Sequence, residues 1–422
     1  MRKTARKRTV REVGATTLFL ALGDIIRHDL REFVVSAGMT ALSTLLEQER
    51  TKLCGPRYAH QSDRVAGRAG HVSGELVMGG RRVNVSRPRV RTRDGREAVL
   101  PSWATFSAED PLRERALEQM LIGVSTRRYG RSLEALPEAV VARGTSKSAV
   151  SRRFVAATEA QMTGWLGRDL SGVDLAVLMI DGVYFDSHVL LVALGIDADG
   201  KKHVLGIREG ATENATACTA LLSDLRERGM RTDRPILAIL DGSKALSKAV
   251  RSVFGERALI QRCQAHKARN VLDQLPEDMR PSVREALRQA YACRQVSTAK
   301  KLLTNLARRL RGEHPSAAAS LEEGLDETLT VMAFALPQNL ERVLSTTNAI
   351  ENLIGSVRLL GRRVKRWRGG QMILRWAVAA VVDAATRFRR VAGARAAMTV
   401  LVRALRAHDE TTSNVEPKKR IA

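Results

Sequence analysis

Leu175-Ala-Val-Leu-Met-Ile-Asp181-Gly182 and Pro235-Ile-Leu-Ala-Ile-Leu-Asp241-Gly-Ser243 are two apolar runs, each closed by an aspartate and a glycine. Short apolar runs without helical spacing read as strands buried on both faces. Asp-Gly is also a common turn dipeptide, so each aspartate taken alone reads as a turn. A carboxylate at the end of a fully apolar strand is costly, however, unless a site holds it there. Outward from this pair, Val189 to Asp197 and His203 to Ile207 read as strands joined by a turn at Ala198-Asp199-Gly200. Ala258 to Arg262 reads as a fifth strand, and helices from about Glu213 to Arg228 and Lys244 to Val253 separate the later strands.

The order β-β-β-α-β-α-β predicts an α/β core with a ribonuclease-H-like mixed sheet and helices on its faces. In that order the ends of the first and fourth strands lie side by side, which brings Asp181 and Asp241 together. Residues 264–340 read as almost wholly helical, with Leu302, Leu303, Leu306 and Leu310 in one stripe, so the core is interrupted by a helical insertion. Beyond it, Ser345-Thr-Thr-Asn-Ala-Ile-Glu351-Asn opens an amphipathic helix that carries a third carboxylate. Two strand-end carboxylates joined by a helical one form the ligand set that a pair of divalent cations needs for phosphoryl transfer on a nucleic acid. Asp186, Asp197 and Asp199 read as turn or surface residues.

Charge points the same way. Lys and Arg total 70 against 45 Asp and Glu, a net charge of +25 that calls for a polyanionic partner. A GC-rich genome explains a preference for Arg over Lys, but not an excess of base over acid. Aromatic residues make up only 4% of the chain, too few for extended base-stacking platforms, so duplex DNA is the expected partner. Cys54, Cys218, Cys263 and Cys293 show no disulfide rhythm, which fits a reducing cytosol. No apolar run reaches the roughly 20 residues of a membrane span. Ala15 to Leu22 faintly resembles a signal peptide, but Asp24 and the pattern after it fit an ordinary amphipathic helix.

The N-terminal half reads as DNA-contacting: a basic arm over residues 1–11, then helices over 15–55 with Leu42, Leu45 and Leu46 on one face. Between Gly70 and Pro101 a hairpin turning at Gly79-Gly80 carries Arg81, Arg82, Arg87, Arg89, Arg91 and Arg93. That surface could contact phosphates or be a charge-protected edge strand, and the sequence leaves both open. Residues 110–162 read as helices. Pro137 to Gly144 predicts a short helix ended by glycine, and Thr145-Ser146 caps a second one. This is a helix-turn-helix layout with Val150, Phe154 and Ala157 facing inward and Lys147, Ser148, Ser151 and Arg152 facing outward.

These frames together resemble the mutator-type transposases of bacterial insertion sequences. The resemblance rests on Ile180-Asp181-Gly182, Leu240-Asp241-Gly242-Ser243, Cys263-Gln-Ala-His266-Lys-Ala-Arg-Asn270 and Ser345 to Asn352. Gly123-Val-Ser-Thr126, Ser146 to Ser151 and Val364-Lys-Arg-Trp367-Arg-Gly-Gly370 add to it, so that it runs from about Asp110 to Val382. It implies a DNA transposase with Asp181, Asp241 and Glu351 as catalytic acids and metal ligands, two Mg²⁺ or Mn²⁺ ions per active site, and Asp181 bridging them. Water attack would free a 3′-OH, which would then attack target DNA. The resemblance also implies binding to terminal inverted repeats and target DNA and a cytoplasmic, nucleoid-associated location; cutting two element ends together calls for at least a dimer. The sequence leaves cut-and-paste and copying through a circular intermediate both open, with the resemblance tilting towards the latter. Two other functions compete: a DNA-binding repressor without catalysis, and a ribonuclease-H-like nuclease that cuts without joining.

The expected division is 1–109 as a basic N-terminal region, 110–165 as the helix-turn-helix, 172–265 and 341–395 as the catalytic core, 266–340 as the helical insertion, and 396–422 as a C-terminal helix and basic tail. Cys263 and His266 lack a second pair at zinc-ligand spacing, and the family resemblance implies that they are active-site neighbours. Arg358, Arg362, Arg363, Lys365, Arg366 and Arg368 follow Glu351 and are expected to meet phosphate. Trp367 among them is expected in the core. None of the four Trp lies within 264–340, which argues against a base-flipping tryptophan in the insertion.

Overall fold

The computed structural model describes residues 30–59, 64–78, 80–108, 112–133, 136, 140–185, 188–210, 214–362, 364–391 and 394–415. The basic arm, the helical pattern before Leu30, Gly79, residues 137–139, Asp186, Arg363 and the basic tail lie outside them. The chain divides into two compact units, Met1–Ala157 and Thr158–Ala422.

In the first unit, α1 (Leu30–Cys54) is followed by a long antiparallel hairpin of β1 (Ala66–Met78) and β2 (Arg81–Thr92), with β3 (Glu97–Ala98) and β4 (Ala142–Arg143) also pairing with β2. Helices α2 (Pro101–Ala108), α3 (Leu112–Leu121) and α4 (Lys147–Leu166) complete it, the last running on into the second unit. The alternation of β2 buries Val83, Val85 and Val90 against Leu42 and Leu46 of α1 and exposes Arg82, Asn84 and Arg91. Leu45 points outward instead of joining that face. The short helix expected before Gly144 differs more: Ala142 and Arg143 pair with Val83 and Arg82 as a strand. Residues 140–141 are not helical, so of the helix-turn-helix layout only the second helix stands among the described residues.

The second unit is built on a five-stranded sheet in the order β7-β6-β5-β8-β9. These strands are β5 (Leu175–Phe185), β6 (His188–Asp197), β7 (Lys202–Gly210), β8 (Ile236–Leu240) and β9 (Ala258–Arg262). β5, β6 and β7 form an antiparallel meander, and β8 and β9 extend it in parallel with β5. Helices α5 (Ala215–Glu227) and α6 (Lys244–Phe254) cover one face, where Leu221, Leu222, Leu225, Leu246 and Val250 pack on Leu178, Ile180, Ala238 and Leu240. Each large apolar side chain so removed from water contributes about 1.5–3 kcal/mol, which is why β5 is apolar from Leu175 to Ile180 and β8 throughout.

After β9 come α7 (Gln264–Asp273), α8 (Arg280–Tyr291), α9 (Val296–Leu310), α10 (Pro315–Glu322) and α11 (Gln338–Leu344). α7 to α10 enclose a separate apolar core that includes Val271, Leu287, Leu303, Leu306, Leu310 and Leu321. Leu302 lies outside it, at the surface. The chain then returns to the sheet as α12 (Asn348–Gly361), packed against β5 and β6, and α13 (Gly370–Ala385), packed against β7. A last helix, α14 (Ala394–Val415), completes the unit. Among the described residues no helix is long and apolar enough to cross a membrane. All four cysteines are free.

Candidate active site

Asp181 does not end its strand. β5 runs four residues further, and Asp181 pairs with Val192 of β6. On its other side β8 stops at Leu240, so among the described residues that edge of β5 has no strand partner from Asp181 onward. Val177, Leu178 and Met179 pair with Leu237, Ala238 and Ile239. Continuing that register by two residues brings Asp181 level with Asp241, the first residue past β8.

Local structure fixes each aspartate. Asp181 Oδ1 accepts from its neighbour, the Gly182 N–H, at 2.7 Å. Asp241 Oδ1 accepts from the Ser243 N–H at 2.8 Å, and the Ser243 hydroxyl caps α6 by accepting from the Leu246 N–H. Gly242 between them has φ +111°, and a Cβ there would lie 2.5 Å from Nε of Arg262. The buried Arg262 guanidinium in turn donates to the Glu323 carbonyl and carboxylate, tying the last strand to the insertion.

The third carboxylate is brought in through β9. The Cys263 N–H donates to Leu240 O (2.7 Å), so Cys263 sits against the residue before Asp241. Cys263 Sγ caps α7 by accepting from the His266 N–H, and the Gln264 N–H donates to Ser345 O at 3.0 Å. The N-terminus of α7 is thereby laced to the segment that opens α12, whose first turn carries Glu351. Glu351 Oε1 lies 3.7 Å from His266 Nδ1. Lys267, the next residue of α7, is fully buried, and its ammonium is held by the carbonyls of Ser320 and Glu323.

Electrostatics shows that the acids act on one another. Burial pushes the Asp181 carboxyl up to about 6, and the negative charges of Asp241 and Glu351 add to it, against the opposing Gly182 N–H and His266. His266 is raised above the ordinary histidine value by its hydrogen bond to Cys263 and by Glu351. Burial pushes the Cys263 thiol up, but hydrogen bonds involving His266 and Thr347 hold it below its usual value. Asp181 on β5, Asp241 just past β8 and Glu351 on the first turn of α12 are oxygen donors of the hard kind that Mg²⁺ or Mn²⁺ takes.

Sγ of Cys263, a ring nitrogen of His266 and a carboxylate oxygen of Glu351 lie within 4.8 Å of one another, close enough to suggest a soft-metal site. The Thr347 hydroxyl fills the space, at 3.3 Å from Sγ, 3.2 Å from Nδ1 and 2.6 Å from Oε1. Thr347 and Arg262 escape a reading of the sequence. Both lie inside the quoted frames or beside them, but their roles arise from contacts across long stretches of chain.

The basic residues separate into groups. Lys147, Ser148, Ser151 and Arg152 are exposed on α4, opposite the buried Val150 and Phe154. Arg358 and Arg362 are exposed at the end of α12, as are Lys365, Arg366 and Arg368 in the link to α13. Trp367 in that link packs edge-on against Phe185 of β5, with ring centroids 5.2 Å apart. On the hairpin, Arg87 and Arg89 both pair with Glu97, and Arg87 also lies over the Trp103 ring. Asp197 pairs with His203 and accepts from the turn N–H groups of Asp199 and Lys201, and the exposed Asp199 pairs with Arg395.

The family model described as Transposase, Mutator family, matches residues 13–391. The chain belongs to that family. It is 32% identical over 254 residues to the transposase for insertion sequence element IS6120 of Mycolicibacterium smegmatis, covering 59% of this chain and 77% of that protein. It is 27% identical over 347 residues to the transposase for insertion sequence element IS256 in transposon Tn4001 of Staphylococcus aureus, covering 79% and 85%. It is 26% identical over 336 residues to the transposase for insertion sequence element IS905 of Lactococcus lactis, covering 78% and 82%. The mutator-family match spans both compact units and every frame of the candidate site.

Proposed function

We propose that this chain cleaves DNA at the ends of an insertion sequence and joins the freed 3′-OH to target DNA, with Asp181, Asp241 and Glu351 as the catalytic acids. The observation that carries the proposal is their convergence: a β5–β8 register that levels the two aspartates, and a Cys263–Thr347 contact that seats the helix bearing Glu351 beside them. The meander followed by two parallel strands, interrupted by a helical insertion, supports a ribonuclease-H-like reading of the core.

The three carboxylates would hold two Mg²⁺ or Mn²⁺ ions, which when bound supply Lewis-acid activation of the attacking oxygen and charge neutralisation at the leaving one. The chain's own residues do the rest. Burial keeps water from solvating Asp181, so its charge is available to a cation instead. His266, held by Thr347 and Glu351, offers its remaining ring nitrogen to a phosphate or a water. Arg358, Arg362, Lys365 and Arg366 follow Glu351 and would hold the DNA backbone across the site. Lys147, Ser148, Ser151 and Arg152 present a helix face of the kind that meets phosphates and base edges, and this face would bind the terminal inverted repeats. Acting on two ends together calls for at least two copies of the chain.

Strand transfer tests the reading. Purified protein is incubated with Mg²⁺ or Mn²⁺ and a labelled duplex carrying an end of its own element, beside Asp241→Asn. Joined product from the wild type, absent in a variant that still binds the duplex, is expected. Cutting without joining supports a nuclease instead, and binding without chemistry in both proteins supports a repressor.

A further inference from the structure

Thr347 immediately precedes α12 and is completely buried, in a position where an apolar residue would be the cheaper choice. Its Oγ1 lies 2.6 Å from Glu351 Oε1, 3.2 Å from His266 Nδ1 and 3.3 Å from Cys263 Sγ. Its backbone N–H donates to the same Sγ at 3.4 Å, as the His266 N–H does at 3.5 Å. Three segments therefore meet at one side chain: the end of β9, the start of α7 and the first turn of α12, which carries the carboxylate of Glu351.

Counting protons orders these contacts. A threonine hydroxyl has one proton to give and two lone pairs to offer. An ionised carboxylate only accepts, and it is the nearest partner, so the proton goes to Glu351 Oε1. One lone pair then accepts from the Nδ1–H of His266, while the Cys263 sulfur, which accepts from the Thr347 and His266 N–H groups, lies against the hydroxyl at 3.3 Å. His266 is thus fixed as the tautomer protonated at Nδ1, leaving Nε2 as its free nitrogen. Glu351 has one oxygen tied down and Oε2 left over.

The geometry points to Thr347 as a positioning residue: its hydroxyl fixes the Glu351 carboxylate in the rotamer that a divalent cation requires. The inference rests on the cation-site reading above. A half-exposed glutamate on a first helical turn otherwise samples several rotamers, and binding must select one. The hydroxyl makes that selection beforehand, and through Cys263 it does so in register with Leu240 and Asp241.

The test compares full-length wild type, Thr347→Val and Thr347→Ser by calorimetric titration with Mn²⁺, with melting curves recorded without metal. Valine keeps the shape and removes the hydroxyl; serine keeps the hydroxyl. Loss of such a supporting hydrogen bond typically weakens metal binding about 10–100-fold, so Thr347→Val is expected to raise the Mn²⁺ dissociation constant by that factor. Thr347→Ser is expected to stay close to wild type, with all three proteins melting alike. Thr347→Ala is read in the same way if the valine variant does not fold. Wild type that binds no Mn²⁺ overturns the cation-site reading itself. Wild-type binding that Thr347→Val leaves unchanged, or a well-folded Thr347→Ser as impaired as Thr347→Val, overturns the role of Thr347 alone.

Discussion

The two sheets of this molecule use the same strand geometry for opposite ends. Along β2, Val83, Val85 and Val90 are buried while Arg82, Asn84 and Arg91 are exposed, so one face packs on a helix and the other carries charge outward. Along β5 every residue from Ala176 to Ile180 is buried, whichever face it lies on. A half-exposed antiparallel sheet can display a row of cations at little cost. A sheet covered on both faces has no such freedom, and it places polar groups only where the neighbouring strand runs out. The first arrangement suits a surface that holds a polyanion without chemistry. The second suits a few acids held close together, where burial and mutual repulsion raise Asp181 against the opposing Gly182 N–H and His266.

The sharpest way to break that contrast is to neutralise the acids. Asp181→Asn, Asp241→Asn and Glu351→Gln are each expected to cost strand transfer at least ~10²–10³-fold, the scale of losing one preorganised electrostatic group. Binding of the duplex should persist in an electrophoretic shift assay. If any of the three retains near wild-type joining, that residue is not part of the site.

Next in size is the stability that the metal-free site forgoes. Asp181 is raised from 3.8 to about 6, so between those pH values the folded chain holds a proton that the unfolded chain has released. Metal-free stability therefore falls as pH rises from about 4 to 6 and stays low above. Asp181→Asn removes that slope and is expected to be more stable than wild type at pH 7.5 by up to about 3 kcal/mol. Urea denaturation at pH 4.5 and 7.5 measures this, and parallel behaviour of the two proteins would rule out the buried charge.

Gly242→Ala should sharpen the comparison by disturbing only the strand end. It must adopt φ +111° and meet Arg262, so a destabilisation of about 1–3 kcal/mol is expected by chemical unfolding. Gly355→Ala on α12, whose added methyl meets nothing within 4 Å, should instead stabilise by about 0.5–1 kcal/mol. The smallest effect belongs to the other sheet. Arg82→Ala and Arg91→Ala should each lower the slope of log binding constant against log salt by about 0.9 if the side chain meets a phosphate, and leave strand transfer per bound duplex unchanged.

The strands of the second sheet are legible in the sequence because burial on both faces leaves an uninterrupted apolar signature. Their ends are less so. Asp181-Gly182 looks like the close of a strand, yet pairing with β6 carries β5 on to Phe185. Ala142 and Arg143 follow a helical pattern locally, but hydrogen-bond to β2 some sixty residues earlier, a distant pairing that no local window contains. Leu45 and Leu302 sit beside leucines that are buried, and periodicity alone does not say which neighbour faces inward. Of the proposed site, Asp181 and Asp241 are visible because acids after apolar runs are conspicuous, and Glu351 because of the frame Ser345 to Asn352 around it. Thr347 is not, because a buried hydroxyl has no sequence pattern of its own.

The most direct measurement is anomalous scattering from crystals of the whole chain soaked in Mn²⁺. Difference peaks bounded by the carboxylates of Asp181, Asp241 and Glu351, and lost in Asp241→Asn crystals, are the predicted result. Well-diffracting soaked crystals with manganese only at other places, or at this place regardless of Asp241, would contradict the account.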